Sequence, residues 1–169
     1  MAFKSILPLD LKSNPFEIMQ DGVLVTARLG ERINTLTVGW GGFGSIWGRH
    51  VVFMAVRPER YTFRFTEEAD TFSVTVFPKN EKSQQIIDYC GTHSGRDHDK
   101  IQDCGLTTAF EGDTPYFEEG ALIFICKKLA NPQLSERDFA PGHGILEKWY
   151  GGGFHHLYIG EITNILVKE

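Results

Sequence analysis

Apolar and polar positions alternate along the chain in short segments of two different periods. NPFEIMQDG (14–22) reads as a short helix, with Asn14 as its cap, Pro15 in the first turn and Gly22 as its stop. VLVTARLG (23–30) and RINTLTVGW (32–40), rich in Val, Thr and Ile, read as two strands joined by a tight turn at Gly30. HVVFMAVRP (50–58) is an apolar run closed by Pro58, and TFSVTVFP (71–78) alternates as a half-buried strand does. Between them, ERYTFRFTEE (59–68) puts Tyr61, Arg64 and Phe65 at helical spacing. EKSQQIIDYCG (81–91) is an amphipathic helix stopped by Gly91, and DHDKIQDCG (97–105) a shorter one stopped by Gly105. After LTTAF come ALIFICKKLA (121–130), a Pro- and Gly-bearing insertion (131–153) and HLYIGEITNILVKE (156–169); both long runs read as strands. Six or seven strands at short spacing, with helices inserted and no βαβ alternation, predict a mainly β antiparallel barrel. No repeat or linker divides the chain, so a single domain over 1–169 is expected.

Charge narrows the function classes. Seventeen Lys and Arg against 22 Asp and Glu give a net charge of −5, which argues against a nucleic-acid footprint. No apolar run approaches the roughly 20 residues that span a bilayer. The opening MAFKSILPLDLKSNP lacks the pattern of a secretory signal, so a cytoplasmic protein is expected. Cys90, Cys104 and Cys126 are too few for a disulfide framework and read as reduced thiols, with Cys126 in the core run ALIFIC. Thirteen Phe, five Tyr and three Trp would serve a core, a subunit interface or a flat ligand equally well.

Within TVGWGGFG (37–44), Gly39, Gly41 and Gly44 match the G-x-G-x-x-G of a dinucleotide-binding turn. That turn needs a helix opening from its glycines. Here SIWGRHVVFMAV follows, which leads to another β-run, so the stretch is expected to be a flexible loop without a pyrophosphate-binding helix start.

Three clusters could carry chemistry. They are Asn34-Thr35-Leu36-Thr37 leading into Trp40, Arg57 to Thr62, and Thr92 to Asp97 with Lys100 beyond. Each joins hydroxyls or backbone amides to cations or an aromatic, the supply that a phosphate monoester and a flat ring require. Each also has a plainer reading, as a turn, a solvated helix start or a capping loop; their joint order favours the site. Cys90, His93, His98 and Cys104 are spaced irregularly for structural zinc, and no metal is expected. There is no G-x-S-x-G elbow and no Cys-His nucleophile arrangement. His155-His156, after a run of three glycines, could reach a neighbouring site or form a surface pair.

Taken in order, NTLTVGWGGFGSIW (34–47), VRPERYTFRFTE (56–67), FSVTVFP (72–78), CGTHSGRDHDKIQDCGLT (90–107), PYFEEGALIFICKKL (115–129) and HHLYIGEI (155–162) resemble the flavin reductase-like family of FMN-binding split barrels, near flavoredoxin. The specific signal is the combination of N-T-x-T, R-x-x-R-Y-T and S-G-R-D-x-D-K. The resemblance implies a Greek-key split barrel with short inserted helices, forming a homodimer that holds FMN non-covalently near the subunit interface. It implies that Thr35, Leu36 and Thr37 line the flavin ring, that Trp40 walls the pocket, and that Arg57, Arg60, Tyr61 and Thr62 serve the ribityl-phosphate end. Ser94, Arg96 and Lys100 would close over the phosphate, and His155 would face the flavin and the nicotinamide approach. The implied activity is an NAD(P)H-dependent flavin reductase, with NADH or NADPH as donor. The alternative is an FMN-holding electron carrier reduced by a redox-protein partner. The chain departs from the family at Arg49-His50, where Pro is frequent, and at Gly151–Phe154, where an Asp is frequent.

Overall fold

The computed structural model describes residues 2–169. Among the described residues, ten strands and five short α-helices follow one another in order. First come β1 (Phe3–Ile6), α1 (Pro15–Gln20), β2 (Val23–Leu29), β3 (Arg32–Val38), β4 (Gly41–Ile46), β5 (Arg49–Val56), α2 (Phe63–Glu68) and β6 (Thr71–Val76). Then come α3 (Glu81–Thr92), α4 (Lys100–Asp103), β7 (Thr108–Glu111), β8 (Thr114–Phe117), β9 (Leu122–Ala130), α5 (Ile145–Trp149) and β10 (His156–Lys168). The main sheet is antiparallel in the order β3-β2-β6-β9-β10-β5-β4, with β1 also on β10, and β7-β8 form a separate hairpin. This is the Greek-key split barrel.

The period-2 alternation of β2 sets the layers. Val23, Val25 and Ala27 point into the barrel, where they meet Leu36, Met54, Phe72, Phe124 and Tyr158. Leu24 faces outward and packs with Ile86, Ile87 and Cys90 of α3. The sheet curls because β10 is long and irregular. Its first half pairs with β5, its second half with β1, and register shifts at Ile159/Gly160 and Ile162/Asn164 bend it along β9.

Several elements differ from the sequence expectation. The glycine-rich stretch is not a flexible loop: Gly41–Ile46 is an edge strand paired residue by residue with β5. Glycine is needed there for close packing, since a Cβ on Gly41 would collide with the Phe53 carbonyl oxygen. The helix expected over 59–68 begins only at Phe63, after a turn closed by Arg60 N–H to the Arg57 carbonyl at 3.1 Å. The one expected over 97–105 shortens to Lys100–Asp103 because Asp99 caps it, accepting from Gln102 N–H at 3.1 Å. The strands outnumber the six or seven expected because β1, β4 and the β7-β8 hairpin carry too little alternation to stand out. No helix among the described residues is long and apolar enough to cross a membrane.

Gly41→Ala is expected to lower stability by about 3 kcal/mol, because backbone cannot yield to the new methyl group. Gly42→Ala, whose Cβ meets nothing within 4 Å, is expected to stay within about 0.5 kcal/mol of the parent. Urea denaturation of both variants checks the pair, and equal losses would refute the close-packing account.

Candidate functional site

The site is built around the free edge of β3, the outermost strand on its side of the sheet. The Thr62 hydroxyl donates to the Thr35 carbonyl at 3.0 Å, so this carbonyl faces away from β2. Peptide groups alternate along an antiparallel ladder, so the N–H and C=O of Thr37 face the same open edge. The side chains of this stretch are already engaged. The Thr26 hydroxyl donates to that of Thr35 at 3.0 Å, which donates to the Val25 carbonyl at 3.0 Å. The Thr37 hydroxyl donates to the Ile87 carbonyl of α3, and Leu36 is in the barrel core. The Thr35 N–H donates to Asn34 Oδ1 at 2.7 Å. What the edge offers a ligand is therefore the Thr37 backbone.

Beside that edge lies a cluster of cations gathered by the end of α3. Arg60 Nη2 donates to the carbonyls of Gly91 (2.8 Å) and Cys90 (3.4 Å), and Lys100 Nζ donates to Cys90 at 3.4 Å. The last carbonyls of a helix lack intrahelical donors and carry the negative pole, so both cations are favoured there. The loop after α3 lies directly on β3, because a Cβ on Gly95 would collide with the Asn34 side chain. Arg96, whose N–H donates to the Ser94 hydroxyl at 3.2 Å, stands 5.6 Å from the Tyr61 ring centroid. Arg32 stands 6.0 Å from the same ring and donates to its hydroxyl. Arg32, Asn34, Gly95, Arg96 and Lys100 border a cleft of about 380 Å³.

None of Arg32, Arg60, Arg96 or Lys100 has a carboxylate within 4.0 Å among the described residues. Asp97 and Asp99 also border the cleft, but Asp99 is engaged in capping α4. Lys100 is the extreme case: it is 4% exposed, with one long hydrogen bond and no counter-ion. Burial pulls its ammonium from the usual 10.5 down to about 8, with the Arg60 charge adding to the effect against opposing contributions from Cys90 and Cys104.

A second group lies on the other side of the 57–62 turn. Arg57 does not join the cation cluster: it donates to the carbonyls of Trp149 (2.7 Å) and Gly153 (3.3 Å) and lies over the Tyr150 ring. Trp40 meets Trp149 edge-on at 4.9 Å and His155 at 5.1 Å. His155 sits buried just before β10, with Nδ1 2.9 Å from the Tyr150 hydroxyl. Burial and the Arg57 charge lower its pKa against a smaller effect of Glu59, so the imidazole is neutral near pH 7. His156 turns aside to the Asn131 carbonyl, 3.1 Å from its Nδ1.

The structure thus unites Arg60, Tyr61, Ser94, Arg96 and Lys100 at one end of the β3 edge, and Trp40, Arg57 and His155 at the other. Cys90, His93, His98 and Cys104 do not converge. Both thiols face the apolar cluster under α3, while His93 stacks on Tyr89 at 3.9 Å and meets His98 edge-on. Among the described residues no three metal-ligating side chains gather. Sequence reasoning missed Arg32 and Tyr150. Arg32 shares a strand face with Asn34 at period 2, a signal that was available; Tyr150 lies in an insertion with no periodicity.

A model of the flavin reductase-like domain matches residues 18–169. No curated protein sequence matches the chain. An FMN-binding protein from Thermus thermophilus, with bound p-hydroxybenzaldehyde, has a similar structure: TM-score 0.70, 19% identity, 97% of this chain and 78% of that one. A flavoredoxin from Methanosarcina acetivorans gives a TM-score of 0.68 at 21% identity, covering 88% of this chain and 68% of that one. The flavoredoxin of Desulfovibrio vulgaris gives 0.67 at 22%, covering 88% and 69%. With the domain model covering nearly all of its length, the chain belongs to the flavin reductase-like family.

Proposed function

We propose that this protein is an FMN-binding oxidoreductase that takes hydride from NADH or NADPH. The observation that carries the reading is the buried, unpaired Lys100 ammonium beside Arg60, Arg96 and Arg32, in a chain of net charge −5. A charge taken out of water without a partner destabilises a fold, and a dianionic phosphate supplies the missing partner. The donor set fits FMN: guanidinium and ammonium groups for the phosphate, and the Thr37 peptide for the polar edge of the ring. The close contact of Gly95 with Asn34 brings the Arg96 loop down to that edge.

When bound, FMN supplies the hydride-accepting ring. This chain's part is to hold and shield it. Lys100 and Arg96 neutralise the phosphate, and Tyr61, held between the Arg32 and Arg96 guanidinium groups, fixes where those two cations stand. Trp40 closes the ring end of the edge. His155, kept neutral, adds no positive charge beside it. The reading includes a homodimer, supported by exposed aromatic side chains, Phe16 on α1 and Trp47 in the turn after β4.

A second reading, an electron carrier reduced by a redox-protein partner, has one observation in its favour. His155 is only 5% exposed beneath Trp40 and Tyr150, and Arg57 straps the segment around Trp149 over the side where a nicotinamide would approach.

Lys100 gives a prediction with a defined sign. Below about pH 8 it is charged in both the folded and unfolded states, and the ligand-free fold carries the full cost of burying the charge. Between about 8 and 10.5 the folded form loses its proton first, so the cost is relieved as pH rises. Lys100→Met is therefore expected to be about 1–3 kcal/mol more stable than the ligand-free parent at pH 7, with the gain shrinking toward pH 10. The same variant is expected to bind FMN at least about tenfold more weakly at pH 7, and parent affinity to fall as pH rises through about 8. Urea denaturation and flavin-fluorescence titration read the two effects. A variant that binds FMN like the parent would sink the assignment of Lys100.

The donor is tested on the FMN-loaded protein by absorbance. Bleaching of the flavin bands by NADH or NADPH is expected. Bleaching by a reduced ferredoxin but by neither nicotinamide would select the carrier, and no spectral or fluorescence response to FMN would overturn both readings.

A further inference from the structure

The insertion between β9 and β10 lies against the His155 end of the β3 edge with little to hold it there. From Ser135 to Phe154 no residue is buried, so α5 contributes nothing to the core. Its helical bonds are few: Lys148 N–H donates to the Gly144 carbonyl at 3.1 Å and Tyr150 N–H to that of Leu146 at 2.9 Å. A helix this short does not stand without outside support. Side chains supply it. Arg57 donates to the carbonyls of Trp149 and Gly153, the Trp149 ring meets Trp40 edge-on, and the Tyr150 hydroxyl lies 2.9 Å from His155 Nδ1. The Tyr150 ring otherwise packs on Phe139 and Phe154, at 5.2 and 4.9 Å, both from the insertion itself. A segment with so few buried contacts opens at low cost.

Glycines flank the helix. Gly144 (φ 66°) precedes it and Gly152 (φ 138°) follows it, each in backbone space that other residues seldom adopt. A Cβ on Gly152 would meet nothing within 4 Å, so glycine is needed there for backbone conformation and not for space. Gly151 is equally open but has no positive φ. The Arg57 guanidinium has no carboxylate within 4.0 Å among the described residues. Its partners on the insertion are neutral carbonyls, which water can replace at small net cost.

We propose that residues 144–152 form a hinged lid over the ring end of the β3 edge, with Arg57 as its latch, and that the hydride donor enters when the lid opens. Donor entry rests on the flavin reading; the hinge and the latch do not. In the closed form Trp149 and Tyr150 cover Trp40 and His155, which leaves His155 only 5% exposed. When water takes over the Arg57 bonds, the backbone turns at Gly144 and Gly152 and carries both rings away. Arg57 acts here as a positioning residue, through the segment that it ties down.

Amide exchange of the full chain without flavin tests the hinge and the latch. In the parent, Lys148 and Tyr150 are expected to exchange at least about a hundredfold faster than Tyr158 and Ile165 of β10. Arg57→Ala and Gly152→Ala are each expected to speed them about fivefold or more, the second because alanine at that φ strains the closed form. Gly151→Ala is expected to leave them at parent rates, and β10 to stay unchanged in all three variants. Exchange at Lys148 and Tyr150 as slow as in β10, unmoved by both variants, or accelerated together with β10 would overturn the lid. Donor entry is read on the FMN-loaded chain by stopped-flow absorbance. At saturating NADH or NADPH, Gly152→Ala is expected to bleach the flavin about twofold faster or more. An unchanged rate in a variant whose exchange has risen would overturn gating. Bleaching in neither protein would refute the nicotinamide donor instead, while the exchange rates alone decide the lid.

Discussion

The burial of both faces of β2 is the constraint on which the rest of the molecule hangs. Val23, Val25 and Ala27 are committed to the barrel interior, so Leu24 can be covered only from outside, and α3 provides the cover. A register slip by one residue would exchange the two sets and leave α3 without a seat. Once α3 lies across β2 and β3, its last carbonyls point at the 57–62 turn and at the start of α4. The two cations within reach, Arg60 and Lys100, go there. The cationic cleft is thus a consequence of barrel packing, carried from one layer to the next by a single helix.

The same helix explains how the hydroxyls of the site behave. Thr35, Thr37 and Thr62 look in sequence like ligand donors, yet their side chains hold β3 to β2, to α3 and to the turn before α2. They act by fixing the position of the strand edge. On the proposed reading, a backbone edge held on three sides is a more rigid partner for a flat ring than free hydroxyls, whose rotamers would have to be ordered on binding.

How much of this could be read from the chain depends on the range of the interaction. The barrel class, α1 with its Asn14 cap, the β2-β3 hairpin and α3 follow from period-2 and period-3.6 runs; the Asn80 cap of α3 is seen only in the structure. Gly41–Ile46 could not be read as a strand, because glycine carries no alternation and only its pairing with β5 makes it one. The residue types of the site were legible as three clusters in order. Their division was not: Arg57 and Arg60 are three residues apart, yet one straps the Trp149 segment and the other meets the end of α3. Only the fold decides which carbonyls each side chain can reach.

That division has a functional consequence. Arg57 joins β5 to the insertion that carries Trp149, Tyr150 and Gly153, and through Tyr150 it bears on the imidazole of His155. The Lys100 end of the edge is set by layers that the fold cannot alter without losing its core. The His155 end is set by one guanidinium and two carbonyls on a surface segment. On the proposed reading, a change of electron donor or acceptor needs only a new insertion, while the cationic cleft and the β3 edge stay as the barrel makes them.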